Sequence, residues 1–253
     1  MQLLICALVC LGSTLLGAVS GIGGGVIIKP ALDAMLSLAT SAISVISACA
    51  VLAMSLFSLG KHYLGKSDGE LRLSIAGPLS IGSLIGGVAG KLIFQSFKGD
   101  SAVRALQNTL LFVLLLVILI FAFLPQAKGA CLKPWTEAPV GLLMGLLSAF
   151  LGVGGGPFNM FALTRLYGID YKSAALYSLM MIAFSQSASV ITAALGGSFN
   201  AEWPWIVCAC VAGVLGGVLG RRLQKHMNAK QCRALYIGIL ILILALCAYN
   251  IFS

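Results

Sequence analysis

The chain has 253 residues, 60% of them hydrophobic and only 9% charged, with a mean hydropathy of +1.05. Soluble domains carry about 25% charged residues, so a water-soluble domain is excluded and a polytopic membrane protein is implied. The net charge of +9 comes with no nucleic-acid-binding module, and its distribution over short loops reads as a topology signal.

A membrane-spanning helix needs about 20 apolar residues. The first apolar passage covers residues 3–38. Its opening, MQLLICALVC, lacks the basic start of a signal peptide, so a retained first span is expected. Inside it lies LGAVSGIGGG, residues 16–25, with four glycines among the five residues Gly21, Ile22, Gly23, Gly24 and Gly25. Glycine is a poor helix former and reaches backbone conformations closed to other residues, so the helix is predicted to break there. Passages over residues 42–59, 71–94 and 105–124 follow. The loop PQAKGACLKPWTEAP then divides the chain, and further passages cover 140–166, 174–195, 205–219 and 234–252. The fifth contains a second glycine block, LSAFLGVGGG, which supplies Gly152, Gly154, Gly155 and Gly156 about 131 residues after the first.

The repeat extends past the glycines. Leu84 to Lys91 (LIGGVAGK) is echoed by Val214 to Arg221 (VLGGVLGR), and Val103-Arg104-Ala105-Leu106 by Cys232-Arg233-Ala234-Leu235. The expected fold is all-α and polytopic, with eight transmembrane helices in two homologous four-helix halves. These are residues 1–125 and 139–253, joined by loop 126–138 in one membrane domain, with the first helix of each half broken. Internal repeats of this kind point to a transporter-type architecture.

Lysine and arginine in short loops orient such a chain. With the third-to-fourth and seventh-to-eighth loops inside, eleven cations lie inside, among them Arg221, Arg222 and Lys225, and five lie outside, among them Lys61 and Lys66. Both termini are then expected outside the plasma membrane, with Trp135, Trp203 and Trp205 in the outer aromatic belt. This assignment makes the two repeats parallel. An inverted repeat would require the broken segment to add a fifth crossing to each half.

Thirteen residues, Pro139 to Leu151, give about 20 Å of helix, short of a ~30 Å hydrocarbon core. The second break is therefore expected inside the membrane, nearer the cytoplasm, and residues 157–166 either complete the crossing or form a re-entrant turn. A half-helix that starts within the membrane aims free N–H groups and a partial positive charge into the protein, which suits an anion. Two such starts can converge on one ligand. The bland alternative is that the glycines serve helix packing, which is the expected role of Gly82, Gly86, Gly87 and Gly90 and of Gly213, Gly216, Gly217 and Gly220. Lys29 stands four residues after the first break and one helical turn before Asp33. It is either an anion ligand or half of a structural ion pair. Asn159 and Gln186 offer amides to an oxyanion and Ser47 a hydroxyl, although most single serines in spans bond their own helix.

The sequences GIGGGVIIKPAL and GVGGGPFNMFAL resemble the TauE/SafE sulfite-exporter family, as does His62 with the turn segment after it. That resemblance covers nearly the whole chain. It implies transport of a small sulfur-containing anion such as sulfite or an organosulfonate. The two motifs are not chemically equivalent: Asn159-Met160 replaces Ile28-Lys29, and Phe161 replaces Pro30. The leading expectation is a secondary transporter of a small anion, with an anion channel as the alternative. A membrane-embedded enzyme is disfavoured, because the two histidines fall in predicted loops on opposite faces. No cofactor is expected, since no CxxC pair or Cys/His cluster offers metal-ligand spacing. The expected partners are the anion, the lipid bilayer and a second copy of the chain.

Overall fold

The computed structural model describes residues 2–36, 38–64, 72–96, 101–124, 134–151, 154–195 and 202–252. The described residues form ten α-helices and no strand. The first half contributes α1 (Gln2–Ser20), α2 (Gly25–Met35), α3 (Thr40–Leu64), α4 (Leu73–Ser96) and α5 (Ser101–Phe123). The second contributes α6 (Glu137–Leu151), α7 (Gly156–Phe161), α8 (Tyr171–Leu195), α9 (Trp203–His226) and α10 (Ala229–Phe252). A π-helical turn, Ala162–Leu166, prolongs α7. Among the described residues six helices are long and apolar enough to cross a bilayer, while Thr109–Phe123 and Glu137–Leu151 are shorter apolar helices. The inter-repeat loop expected over 126–138 overlaps α6, which already includes Glu137 and Ala138; residues 125–133 and Cys131 lie outside the described residues.

Side-chain distribution is that of a protein in lipid. Val207, Val211, Leu215, Leu219 and Leu223 form an exposed apolar stripe along α9, while Ser13, Thr14, Ser20, Ser47, Ser178 and Asn159 are buried. Several interior hydroxyls bond their own helix, as Thr14 does to the Cys10 carbonyl at 2.6 Å and Thr192 to the Ala188 carbonyl at 2.6 Å. In lipid this satisfies a polar group without a second chain segment. Cys232, near the start of α10, is buried in the core.

Glycine seams fix which way the helices run. A Cβ on Gly82, Gly86 or Gly90 of α4 would meet the carbonyls of Ala138, Leu142 and Leu146 of α6, and one on Gly141 or Gly145 would meet those of Leu79 and Ser83. Backbones in contact need this absence of side chains, so the packing expected of these glycines is what the fold shows. Residue numbers rise together along the seam, so α4 and α6 are parallel. On α9, Gly216 meets Leu11 and Thr14 and Gly220 meets Leu15 of α1, while Gly213 meets Ala50 and Gly217 meets Met54 and Ser58 of α3. Helices α1, α3 and α9 therefore share one direction. Helix α8 follows α4, because Ser83 reaches the Met181 carbonyl at 3.5 Å and Lys91 the Ser189 carbonyl at 2.6 Å. It opposes α3, since Val45 and Cys49 cluster with Ala193 whereas Val51 and Ile182 both flank Gly23.

These directions correct the parallel-repeat expectation. Helix α1 ends beside the end of α9, where the Gln224 amide donates to the Val19 carbonyl at 2.8 Å. Helix α3 starts at the opposite end, so α2 must run back alongside α1. Likewise α6 and α8 start at the same end, where the hydroxyls of Thr136 and Tyr167 lie 3.4 Å apart, so residues 156–166 are re-entrant. Each broken passage is therefore a hairpin, which adds a segment to its half and reverses everything after it. As a result Lys61 and His62 lie with Arg221, Arg222 and Lys225 around one cavity, not on opposite faces. His62 and His226 close the last turns of α3 and α9 at the same end. The tryptophans divide too, with Trp135 just before α6 and Trp203 and Trp205 opening α9 at the other end.

Candidate functional site

The first break spans Gly21 to Gly24. Gly21 and Gly23 hold φ of 75° and 72°, a region in which an L side chain collides with its own backbone. Both of their amides turn back to the Gly17 carbonyl, at 2.9 and 3.3 Å. Gly24 itself is right-handed, with φ −69°. A side chain there is excluded by space, because a Cβ would sit 2.9 Å from the Thr14 nitrogen. The second break repeats the device, with φ of 76° at Gly154 and 77° at Gly155. Gly152 lies outside the described residues.

The two breaks touch. A Cβ on Gly156 would coincide with the Ile22 carbonyl, and one on Gly154 would lie 3.5 Å from Gln186 Nε2 and 3.9 Å from the Gly25 Cα. Ser47 of α3 stands 3.4 Å from the Cβ position of Gly25. Along α8, Gly21 lies level with Ala175 and Ser178, Gly23 with Ile182 and Gly154 with Gln186. The contact is thus near the middle of a 25-residue helix, rather than displaced toward one face as the 13-residue count suggested. Helices α2 and α7 leave this point in opposite directions, so their N-terminal ends face one another. Neither start is capped by a side chain. The first N–H groups of a helix have no partner within the helix, so donors and two positive dipole ends converge.

Most of the expected polar residues gather here. Ser47 is 3% exposed, Asn159 1% and Gln186 8%. The amide oxygen of Asn159 is buried with no hydrogen-bond partner, while its Nδ2 lies 3.5 Å from the Cβ position of Gly155. A half-turn of that amide exchanges its donor and acceptor ends. Lys29 is half-buried one turn further along α2, and Asp33 is exposed near the helix end. Among the described residues no ion pair closes between them, although each feels the other's charge, and Lys29 also feels Lys91.

Three contributors escaped the sequence reading. Ser178 donates to the Gly21 carbonyl at 2.6 Å, and the Tyr236 hydroxyl donates to the Pro157 carbonyl at 3.1 Å. Each clamps a break from a helix of the second half. Ser148 packs its hydroxyl 2.7 Å from the Cβ position of Gly155, as Gly17 packs on Gly24. The repeat register carried a signal for this one, since Ser148 stands at the position of Gly17.

A model of the family described as sulfite exporter TauE/SafE matches residues 5–246. The chain belongs to this family. Its relatives include a "Probable membrane transporter protein MamO" of Magnetospirillum gryphiswaldense, 28% identical over 121 residues, and its namesake in Paramagnetospirillum magneticum, 29% identical over 121 residues. Each match covers 44% of this chain and 19% of the relative. As a TauE/SafE member with several helices long and apolar enough to cross a bilayer, the chain is a multi-pass membrane protein.

Proposed function

We propose that this protein is a transporter that carries a small anion, a sulfur-containing oxyanion or organosulfonate, by alternating access around the meeting point of the two breaks. The observation that carries this reading is the contact between Gly156 and Ile22 near the middle of α8, with the unmatched Asn159 amide oxygen beside it. The ligand would be held by N–H groups of Gly24, Gly25, Gly154, Gly155 and Gly156, with Gly152 beside them in sequence, while Gly21 and Gly23, whose amides bond the Gly17 carbonyl, shape the turn that presents them. Asn159, Gln186 and Ser47 would add side-chain hydrogen bonds and Lys29 a charge.

Two five-segment repeats, α1–α5 and α6–α10, of opposite orientation fit the reciprocal packing of α1 on α9 and α6 on α4. In this reading each half has five segments of alternating direction, α1–α5 and α6–α10, the second of them the half-helix that returns from the glycine break. Two hairpins entering from opposite faces suit a site opened to each side in turn. Among the described residues the α3/α9 end gathers Lys61, Arg72, Arg165, Lys172, Arg221, Arg222, Lys225, Lys230 and Arg233, against Lys29, Lys91 and Arg104 at the other. The positive-inside rule then makes the α3/α9 end cytoplasmic and leaves both termini outside the plasma membrane.

Two measurements test this. In proteoliposomes, sulfite or a short organosulfonate should show saturable counterflow, and linear, non-saturating flux would replace the carrier with a channel. Single cysteines at Asn228 and Ser101, in a background without native cysteines, should label from opposite faces, with Ser101→Cys reacting from outside, whereas parallel halves would put both inside. Labelling of both from one face would refute the antiparallel arrangement.

A further inference from the structure

Away from the breaks, the ends of α3 and α9 enclose a cavity of about 160 Å³ lined by Ser58, Lys61, His62, Arg221, Arg222 and Lys225. Among the described residues its lining holds four permanent cations and a histidine and no acid, so the walls repel one another unless an anion sits between them. Arg221 is only 9% exposed, and its guanidinium is fixed by the side-chain oxygen of Gln224, which in turn donates to the Val19 carbonyl at 2.8 Å. The cation is thus held in place by the α1 backbone rather than left to swing into solvent. Ser58 is 2% exposed, and its hydroxyl has no hydrogen-bond partner. A buried donor without an acceptor is costly, and here it faces a basic cavity roomy enough for a ligand.

We propose that this cavity is a second anion site, separate from the transport path, which takes a phosphate-type tetrahedral oxyanion. The Ser58 hydroxyl donates to it from the floor, and Lys61, Arg221, Arg222 and Lys225 balance its charge. Two sources share that chemistry. The exposed stripe Val207, Val211, Leu215, Leu219 and Leu223 on α9 leads up to the cavity and would accommodate the tails of an anionic lipid. Free inorganic phosphate would enter from solvent.

The test uses the full chain, purified in neutral detergent and stripped of lipid. Inorganic phosphate is titrated by calorimetry, and retention of phosphatidylglycerol against phosphatidylcholine is followed by native mass spectrometry. Saturable phosphate binding without lipid preference identifies the free ion, and retention of one phosphatidylglycerol identifies the lipid. Either supports the site if Lys61→Gln with Lys225→Gln weakens it at least tenfold. Both of those side chains are away from the breaks, so the double variant should fold. Ser58→Ala should raise the melting temperature without ligand, because it removes the unmatched hydroxyl, and should lower the stabilisation that phosphate gives. Asn159→Leu should leave this binding unchanged, which separates it from the transport site. The proposal is overturned if neither ligand binds, if the double variant binds normally, or if Asn159→Leu abolishes binding.

Discussion

The two glycine breaks share a backbone and differ in what they place around it. In the first, Gly17 faces Gly24 and the wall is bare main chain; in the second, Ser148 fills the equivalent space against Gly155. The first break is followed by Ile28 and Lys29, the second by Asn159 and Met160, both of them buried. The first therefore supplies N–H groups and a charge one turn away, and the second supplies side-chain hydrogen bonding at the contact itself. The two breaks thus share the left-handed glycines that turn the chain and differ in the side chains set around them.

The strongest way to break this comparison is to remove the contact between the copies. Gly156 has no room for even a methyl group, because the Ile22 carbonyl occupies the Cβ position. Overpacking commonly costs about 1–3 kcal/mol and sometimes more, and here both partners are backbone that cannot swing aside. Gly156→Leu should abolish transport and lower the unfolding temperature markedly. Gly25→Ala, whose Cβ would meet Ser47 Oγ at 3.4 Å, should fold and retain most activity. Equal behaviour of the two variants in thermal unfolding and counterflow would mean that the breaks do not bear on one another.

Next in size is the loss of side-chain donors in the second half. A hydrogen bond to a charged group contributes about 1.5–3 kcal/mol, so Asn159→Leu or Gln186→Leu should weaken anion binding by roughly tenfold to a hundredfold. Neither should unfold the protein, because Asn159 already buries an unmatched oxygen. Removing it relieves a cost in the empty state while taking a ligand contact from the loaded one. Anion-dependent thermal stabilisation reads both effects at once, and unchanged affinity in both variants would leave the backbone N–H groups as the whole site.

How much of this was legible follows from how local each signal is. The breaks were readable because φ near +75° at Gly21, Gly23, Gly154 and Gly155 demands glycine wherever it occurs. The packing role of Gly82, Gly86 and Gly90 was readable for a similar reason, as a four-residue spacing on one helix face. Direction was not. The 11 residues of α2 amount to about 16 Å of helix, and hydropathy is the same whether those residues continue outward or return. One wrong choice there moves Lys61 and His62 to the other face while leaving an acceptable charge asymmetry. Ser178 and Tyr236 were illegible because each bonds a carbonyl far along the chain, 157 and 79 residues away, and nothing near a serine or tyrosine in a span marks such a partner.

The smallest expected effect concerns Lys29, and it separates charge from contact. Lys29 sits one turn beyond Gly25 and feels Asp33 and Lys91 without closing an ion pair among the described residues. Its equivalent in the second half is the apolar Met160, so Lys29→Met makes the two copies alike at this position. If Lys29 attracts the anion from the approach to the site, the loss should be a few-fold in affinity. It should shrink as ionic strength rises, because exposed charges are screened over about 8–10 Å in ordinary buffer. If Lys29 touches the ligand, the loss should be larger and insensitive to salt, and Arg should recover only part of it, since a planar guanidinium does not reproduce a compact ammonium. If Lys29 only balances Asp33, the double variant Lys29→Met with Asp33→Asn should restore both stability and binding. The half-exposed placement favours the first outcome. Affinities of the single and double variants at low and high salt decide among the three, and a fully rescued double variant would take Lys29 out of the site.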